Sequence, residues 1–481
     1  MLNNVQGQFH SQIGLGNYGG VHSLYINPSL HAYSAYLWHV NLAGVWVNAN
    51  NNYLSMHLPY SAYRIPNRIP SIYRTESGNP MFSNSWIHER LNGNNKMATV
   101  SSDVYGPAAS VKIKTWRLGF FTHGSAALRA VRINEALAHA AFNGFDSAKG
   151  AFSLFNVQSN GSNHFDRFAI TGTSRAEVGF NLAKEIKLDW KRHLLIGASV
   201  KREFGFQGFH FNSSDVDVKT INGDSLYFGP TKMQLVTYGD KMGKGMGLDL
   251  GLTYVFHKKD NRRNGVYAAN HTRYFSKIGV SIMDIGKINY KNAVIREASI
   301  AEGGVGVNLA SSRYSGISDY QQALDTFMNQ FVNYSSRVAN YSVGLPTRLV
   351  TTADFQIKKN FYVGGIWSQS LRNKMSKNMR YQSYLMVSPR WEYRFFEFSL
   401  PLALEYDYRS LRMGTSLRFG PLYLGTNSLM NFINTQNVKD ADFFVGIAFG
   451  NLEAFSFGKQ ARKKISHLLR GKSRKTSCFS F

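Results

Sequence analysis

A chain of 481 residues with a net charge of +26 can hold several soluble domains or one large barrel. Its single cysteine, Cys478, excludes an intrachain disulfide, and no stretch of about 20 residues stays apolar, which excludes a transmembrane helix. The charge could attract nucleic acid, lipopolysaccharide phosphates or other acidic partners, but no nucleic-acid-binding signature accompanies it. We therefore expect no nucleic-acid partner.

Composition and the absence of a linker favour a single domain rich in strands. Aromatic residues make up 14% of the chain and glycine occurs 43 times, which suits aromatic rings at two membrane interfaces and closely packed strands. No segment rich in Pro, Gly and Ser divides the chain. An aromatic-rich soluble β protein could have the same composition, so composition alone leaves that alternative open.

The N-terminal segment is uncharged, with no Asp, Glu, Lys or Arg before Arg64. Its first 36 residues show an irregular pattern, with glycines and the turn sequence Asn27-Pro28. Uncharged polar groups can hydrogen-bond to a polar wall at a lower desolvation cost than charges. We therefore predict that residues 1–36 form a plug inside a barrel, with Asn27 and Pro28 in that plug.

Strand patterns follow this segment, with one long interruption. Alternation of apolar and polar residues predicts strands at 37–47, 53–58, 111–121, 177–186, 194–204, 248–254 and 278–282. From 59 to 107 the alternation fails, and the sequence does not assign this segment to either side of a membrane.

Two long segments between strands predict short helices. In the first, Asn134 can cap a helix that has Glu135 in its first turn. In the second, Ser318 or Asp319 can cap a helix with these apolar residues at helical spacing: Tyr320, Leu324, Phe327, Met328 and Phe331. An amphipathic helix packed on its own loop is favoured there over a partner-binding helix.

The stretch from Tyr381 to Phe449 carries the clearest pattern. Leu385, Val387 and Trp391 alternate with Arg390 and Glu392, and two later runs repeat this period of two. A soluble sandwich would turn the polar face to solvent, whereas a membrane barrel with strands of roughly 10 residues turns it into the lumen. The run lengths fit the second case. The predicted fold is all-β, a transmembrane outer-membrane β-barrel of antiparallel strands.

Charged residues on the polar faces of these strands predict a luminal charge network. Its members are Asp249, Arg390, Glu392, Arg394, Glu405, Asp407, Arg412 and Arg418. Cross-strand pairs of opposite sign stabilise a sheet and can fill a lumen. We favour structural filling over the alternative that these residues line a conduction path.

Loop lengths predict the orientation of the barrel, which we expect to span residues 37–457. Such barrels keep short turns in the periplasm and long loops outside. The short connections at 358–360 and 420–421 alternate with longer ones. This parity places loop insertions near 124–165 and 290–341, with their short helices, on the extracellular side.

The C-terminal segment, residues 458–481, is a basic tail that the same parity places in the periplasm. Its cations are Lys459, Arg462, Lys463, Lys464, Arg470, Lys472, Arg474 and Lys475, and no acidic residue lies among them. A solvated disordered tail is favoured. The alternative is an arm that binds an acidic periplasmic partner.

Enzyme motifs are missing from the sequence: there is no H-E-x-x-H, G-x-S-x-G, Walker loop or paired C-x-x-C. His88-Glu89 is an isolated pair, and Gly245-Met246-Gly247 lacks the third glycine of a dinucleotide site. We therefore expect a protein that is not an enzyme, with no cofactor and no metal.

Several short segments resemble a known family. They include Asn27-Pro28-Ser29, the run Gly245 to Tyr254, Gly344-Leu345-Pro346-Thr347 and Gly420-Pro421-Leu422. Together they resemble a family of Bacteroidota outer-membrane barrels known only as a domain of unknown function (5723), distantly similar to FadL-type fatty-acid transporters and PorV-type barrels of type IX secretion. The resemblance implies roughly 14 strands with an N-terminal segment in the lumen.

Two functions fit these observations. In the first, which we favour from the sequence, the barrel is an accessory or scaffold subunit of an outer-membrane assembly or secretion machine. Its expected partners are outer-membrane lipid, lipopolysaccharide and other outer-membrane or periplasmic proteins. In the second, it is a FadL-like channel or carrier for a hydrophobic small molecule. Both place the chain in the bacterial outer membrane.

Overall fold

The chain forms a closed barrel in the computed structural model. The structure describes residues 13–452 apart from these positions: 62–63, 65–68, 80, 82, 144–162, 166, 190, 215, 223–224, 258–273, 309–319, 332, 394–395 and 409. Arg394 and the basic tail at 458–481 therefore lie outside the described residues.

Fourteen strands, β1 to β14, build the barrel within the described part of the chain. Nine are single runs: β1 Tyr36–Asn51, β2 Lys96–Ile113, β3 Trp116–Ile133, β4 Phe168–Lys187, β7 Ser276–Ile300, β9 Phe361–Ser370, β10 Tyr384–Tyr393, β13 Leu422–Thr426 and β14 Asp440–Leu452. Five are interrupted: β5 Arg192–Gly205 with Gly208–Ser214, β6 Thr231–Tyr238 with Gly243–Phe256, β8 Asn333–Gly344 with Arg348–Lys358, β11 Phe396–Ser399 with Leu402–Glu405, and β12 Ser410–Met413 with Thr415–Phe419.

Each strand pairs antiparallel with its neighbour in sequence, and the last closes on the first. The closing pair runs from Tyr36 opposite Leu452 to Asn50 opposite Asp440. Full closure leaves no unpaired sheet edge, which a lipid-facing sheet requires because lipid cannot hydrogen-bond exposed backbone. The predicted all-β barrel of roughly 14 antiparallel strands is confirmed.

The outer face of the wall is an apolar belt. On β6, Leu250 and Leu252 are 45% and 44% exposed, whereas the flanking Asp249 and Thr253 are each 1% exposed. The same alternation appears on β4, where Phe180 is exposed and Asn181 is buried. Because side chains alternate along a strand, the register sends every second residue outward and the polar residues inward.

Connections differ between the two ends of the barrel. At one end, called the turn end, short turns such as 114–115 and 420–421 join most strands, and the longer connection 257–275 also lies there. At the other, called the loop end, lie the longer segments 52–95, 134–167, 215–230, 301–332, 371–383 and 427–439. The segment 59–107, which the sequence left unassigned, therefore contributes a loop at the loop end and the first part of β2.

Short helices and strands outside the barrel lie at the loop end. The helices are α1 Glu135–Asn143, α2 Tyr320–Met328 and α3 Leu429–Ile433, with 3-10 turns at Ser71–Tyr73 and Asn84–Trp86. Outside the barrel, Leu54–Met56 pairs with Ile87–Glu89, and a small sheet joins Asn163–Phe165, Val216–Asn222, Ser225–Phe228 and Val305–Asn308. No helix among the described residues is long and apolar enough to cross a membrane.

Three boundaries differ from the sequence-based expectation. The predicted strand 111–121 is a hairpin, because Lys114 adopts a left-handed backbone with φ 56° and turns the chain between β2 and β3. The predicted insertions near 124–165 and 290–341 begin only after β3 and β7 end, at Ile133 and Ile300. Cross-strand pairing extends these strands into segments whose own alternation is weak.

Residues 13–35 fill the barrel interior as two 3-10 turns, Gly20–Tyr25 and Leu30–Tyr33, with their connections. Asn27 donates from Nδ2 to the Thr253 hydroxyl at 3.2 Å, and Pro28 lies beside it with its carbonyl facing Asn181 at 3.4 Å. Arg348 donates to the Tyr25 carbonyl at 2.8 Å. These contacts tie the segment to β4, β6 and β8, on different parts of the wall.

A buried guanidinium joins two strands of the wall, β8 and β10, on the inner side of β9. Arg390 of β10 donates to Glu392 at 2.5 Å and to Asp354 of β8 at 2.9 Å. All three side chains are almost completely buried. Asn17 of the plug also donates to Glu392, at 2.7 Å. This cation therefore contacts two carboxylates that solvent cannot reach, and Lys277 lies 3.6 Å from Asp354 as a second cation.

Replacing Arg390 should destabilise the barrel strongly. Arg390→Ala leaves Asp354 and Glu392 buried without their shared cation, and breaking a buried pair in this way costs about 3–5 kcal/mol. Urea unfolding of the protein in lipid vesicles, followed by tryptophan fluorescence, measures the free energy of unfolding.

Arg192→Ala is the matched control. Arg192 pairs with Asp189 at 2.5 Å in an exposed turn, where solvent replaces the lost contact, so we expect little change. Equal unfolding midpoints for the two variants would show that the buried contacts of Arg390 stabilise the barrel no more than an exposed ion pair does.

Candidate functional site

Most of the predicted luminal charges lie inside the barrel, but in separate groups. Arg390, Glu392 and Arg418 lie close together, with Glu397 bonded to Arg418 at 3.2 Å. Arg412 bonds Glu405 at 2.7 Å in a second group and also reaches Asp440 at 2.6 Å. The single network that the sequence suggested is therefore divided around the wall, with a local partner for each charge.

Asp407 differs from the other predicted members because it lies in a turn after β11. Residues 406–408 all have positive φ, which ends the alternation of β11. Tyr406, which a continued alternation from Leu402 and Leu404 would turn outward, is consequently buried and accepts a hydrogen bond from Arg412 at 2.9 Å. Asp407 instead accepts from Arg380, at 2.6 Å, in the segment 371–383.

Asp249 belongs to a larger ion cluster that sequence reasoning missed. Lys201 contacts Asp249 at 3.0 Å and also pairs with Asp284, while Arg175 bonds Glu177 at 2.9 Å and Glu203 at 3.0 Å. Alternation on β4 and β5 places Arg175, Glu177, Lys201 and Glu203 on the inner face. This alternation was visible in the sequence. It did not show which residues pair, because the partners lie on different strands.

Three carboxylates of this cluster lie as close together as metal ligands do. Oxygens of Glu177, Glu203 and Asp284 lie within 4.8 Å of one another. Arg175 and Lys201 already contact these carboxylates, so a divalent cation would face two resident positive charges. The adjoining cavity holds only about 20 Å³, roughly the space of one water molecule. The arrangement fits an internal ion cluster better than a metal centre.

The segment 371–383 folds inward and covers the loop end of the lumen. Met379 donates from its backbone to the Gly344 carbonyl at 3.0 Å, and Gly344 donates to the Asn378 side chain at 2.8 Å. Met379 packs in a buried cluster with Tyr238 and Tyr290. Together with the plug, this segment fills the lumen where the described residues surround it.

A large cavity lies on the outer side of the wall near the loop end; we call it the lateral cavity. It measures about 910 Å³. Its larger side chains are Leu128, Phe209, Phe211, Leu235, Phe327 and Met328, and small residues such as Ser102, Ala126 and Gly172 leave the space. No Asp, Glu, Lys, Arg or His is among the described residues that line it.

Alternation along β4 shows which face carries the lateral cavity. Phe180 is exposed on the outer face, and the same face continues through Gly172 and Ile170, both of which line the cavity. Val100 and Leu128 line it as well, yet they are 51% and 46% exposed on the outer surface. The cavity is therefore continuous with the apolar belt and accessible from the lipid side.

Paired interruptions of β5 and β6 form the back of the lateral cavity. The segments of β5 break at residues 206–207 and those of β6 at 239–242, on adjacent strands. At the break, Ser174 donates to the Gln207 carbonyl at 2.6 Å. Gly239, with φ 102°, supplies a backbone conformation that other residues rarely adopt.

Helix α2 roofs the lateral cavity. Phe327 and Met328 face the cavity, and Met328 also packs in a buried cluster with Phe168, Met233 and Phe331. The predicted amphipathic helix therefore packs on its own barrel. Sequence reasoning found the helix but not the cavity, because the wall beneath it forms from distant segments.

An ion pair fixes α2 to the wall. Asp325 accepts from Arg296 of β7 at 2.6 and 3.2 Å, and Tyr334 of β8 donates to the same carboxylate at 2.5 Å. The hydrogen bond from Arg296 holds the pKa of Asp325 below its usual value. The carboxylate therefore stays charged at neutral pH, and the pair persists.

The chain was compared with known proteins. It is similar to the toluene transporter TbuX of Ralstonia pickettii, with 12% identity over 94% of this chain and 99% of that chain and a TM-score of 0.41. It is also similar to the toluene transporter TodX of Pseudomonas putida, with 9% identity over 93% and 96% and a TM-score of 0.38. A FadL homologue of Pseudomonas aeruginosa matches at 8% identity over 94% and 98%, with a TM-score of 0.23. No curated protein matches the chain.

A match to a protein-family model identifies the family of this chain. The model described as Family of unknown function (DUF5723) matches residues 28–427, a range that begins in the plug and ends just after β13. This range covers most of the chain, and it confirms the resemblance seen in the short sequence segments. The chain belongs to the DUF5723 family of unknown function.

Proposed function

We propose that this protein is a non-enzymatic carrier of the bacterial outer membrane that binds an uncharged apolar molecule in the lateral cavity. The single observation that carries the proposal is the cavity itself. Its volume of about 910 Å³ lies in the range of small-molecule sites, roughly 300–1,000 Å³. A lining without charged side chains favours a neutral ligand, because a buried charge would lack a partner.

The outer membrane is proposed from the wall. A closed antiparallel barrel with an apolar outer belt and a polar, ion-paired interior is the architecture of bacterial outer-membrane proteins. Val100 and Leu128 join the lateral cavity to that belt, so a ligand dissolved in the membrane could reach the cavity without crossing water.

A route from the lateral cavity inward would use the paired interruptions of β5 and β6. Around residues 206–207 and 239–242 the regular strand pairing stops, so fewer backbone hydrogen bonds oppose a local opening. Tyr238, just before the second interruption, lines the cavity and also packs in the interior cluster. Passage further would require the plug to shift, which makes residues 13–35 the gate in this proposal.

The second candidate is an accessory subunit of an outer-membrane assembly or secretion machine. The filled lumen favours it, because the plug and the segment 371–383 leave the wall and loops as the functional surfaces. In this alternative the loops, or a periplasmic basic tail at 458–481, would bind other outer-membrane or periplasmic proteins. We rank it second because a partner surface does not require the lateral cavity.

Filling the lateral cavity should weaken ligand binding. Ala126→Trp places an indole on the outer face inside the cavity, and we expect N-phenyl-1-naphthylamine, a neutral fluorescent probe, to bind at least about tenfold more weakly, since overpacking costs about 1–3 kcal/mol. Fluorescence titration of the purified protein in a short-chain detergent measures the affinity.

Ala43→Trp is the control for that titration, because Ala43 is an exposed alanine on β1 that does not line the cavity. Its affinity should match that of the unmodified protein. Equal binding by the Ala126→Trp variant, or no saturable binding by the unmodified protein, would remove the carrier proposal and favour the accessory subunit.

The reconstituted protein should not conduct ions. Because the plug hydrogen-bonds to the wall at Thr253 and Glu392, planar bilayers should show no steady current above the lipid baseline. An open porin in the same bilayer setup provides the positive control. A stable ohmic current from the unmodified protein would contradict the filled lumen and the gating role of the plug.

A further inference from the structure

Three cations lie on the outer face of adjacent strands. They are Arg202 on β5, Lys244 on β6 and Lys287 on β7, all exposed. The register places Met246 of β6 opposite Arg202 on one side and opposite Lys287 on the other. Lys244 is two residues from Met246 and so points in the same direction. We call these three residues the cationic patch.

Exposure shows that the cationic patch faces outward. Met246, at its centre, is 60% exposed, whereas Lys201 beside Arg202 and Ile288 beside Lys287 are almost completely buried in the interior. The alternation of each strand therefore directs the patch away from the lumen. These cations cannot belong to the internal ion clusters.

The cationic patch lies on the loop-end side of part of the apolar belt, and the exposed Phe206 and Met242 lie further toward the loop end. Along β5, β6 and β7 the belt includes the exposed residues Val200, Leu250 and Ile285, and in each strand the cation lies beyond them toward the loop end. Along each of these strands, an exposed apolar side chain is thus followed by a cation toward the loop end. This order matches an amphiphile with an anionic head.

Within the described part of the chain, the cationic patch has no acidic partner. None of the three cations forms an ion pair with a residue that the structure describes, in contrast to the buried cations, which contact carboxylates. The exposed Asp240, beside Lys241 in the interruption of β6, is an acid close to the patch in sequence. The patch therefore carries a local excess of positive charge, which attracts anions.

The spacing suits phosphate groups. Neighbouring strands lie about 4.8 Å apart, so the Cα atoms of Arg202 and Lys287, on either side of β6, are about 10 Å apart. Long flexible side chains at this separation can converge on one phosphate or hold two. An arginine can bind a phosphate through two parallel hydrogen bonds, which strengthens the contact.

We propose that the cationic patch binds the phosphorylated headgroup of a glycolipid in the leaflet at the loop end, with its acyl chains against Val200, Leu250 and Ile285. A diphosphorylated, multiply acylated glycolipid matches both the charge and the adjoining apolar surface. The lipid would pack on the wall just below the interruptions of β5 and β6. This site is separate from the lateral cavity and does not depend on the carrier proposal.

Native mass spectrometry of the purified full chain in detergent tests the site with diphosphoryl lipid A as the probe. The patch variant combines Arg202→Gln, Lys244→Gln and Lys287→Gln. Because the three cations supply charge-assisted hydrogen bonds to the phosphates, we expect the patch variant to bind at least about tenfold more weakly. Monophosphoryl lipid A should bind the unmodified protein more weakly than the diphosphoryl form.

The matched control removes the same number of charges at the turn end, where Lys187, Lys358 and Lys359 are exposed. The variant with Lys187→Gln, Lys358→Gln and Lys359→Gln should bind as the unmodified protein does. Because all six positions are exposed, heat-modifiable gel mobility should show that both variants are folded. Equal binding by the patch variant would overturn the proposal. So would complete displacement of the lipid by free pyrophosphate, which would identify a site for a free anion.

Discussion

Each charge that the strands turn inward must find its partner inside the barrel, because the outer face is apolar and the lumen is filled. This constraint organises the interior. Arg390 joins two carboxylates from β8 and β10, and Lys201 contacts acids of β6 and β7. Burying a charge costs desolvation free energy, and the attraction between paired charges offsets part of that cost. The plug carries neutral polar groups, so it fills the remaining space without adding a charge that needs a partner.

The outer face of the wall, which the same register makes apolar, forms two kinds of surface. Through the middle of the wall it presents an unbroken apolar surface, and near the loop end it forms the lateral cavity. The cavity forms there because β5 and β6 are interrupted and because residues such as Gly172 are small. The ion pair of Asp325 with Arg296 also holds α2 against the wall. A surface that would otherwise meet lipid is thereby enclosed, and an enclosed apolar surface can distinguish one apolar molecule from bulk lipid by shape.

Local pattern was sufficient to predict the barrel and its apolar belt, since a period of two specifies both faces of a strand, whereas the strand number was implied only by the family resemblance. It failed where backbone conformation departs from the regular strand, as at Lys114 and at residues 406–408. It placed the inward charges of β10 to β12 but not their partners, because Asp354 lies far from Arg390 in sequence. The lateral cavity could not be predicted, because segments from β2 to β6 and the later α2 form it together.

Cysteine accessibility tests most directly whether the apolar face meets lipid and the polar face is sealed. In a Cys478→Ser background, single cysteines replace Leu250 and Leu252 on the outer face, and Ser199 and Ser281 on the buried inner face. In vesicles, the outer positions should react with a lipid-soluble maleimide and not with a water-soluble one, and the inner positions should react with neither until urea unfolds the chain. Rapid labelling of Ser281→Cys by the water-soluble reagent would contradict a filled lumen, and rapid labelling of Leu252→Cys would contradict a lipid-facing wall.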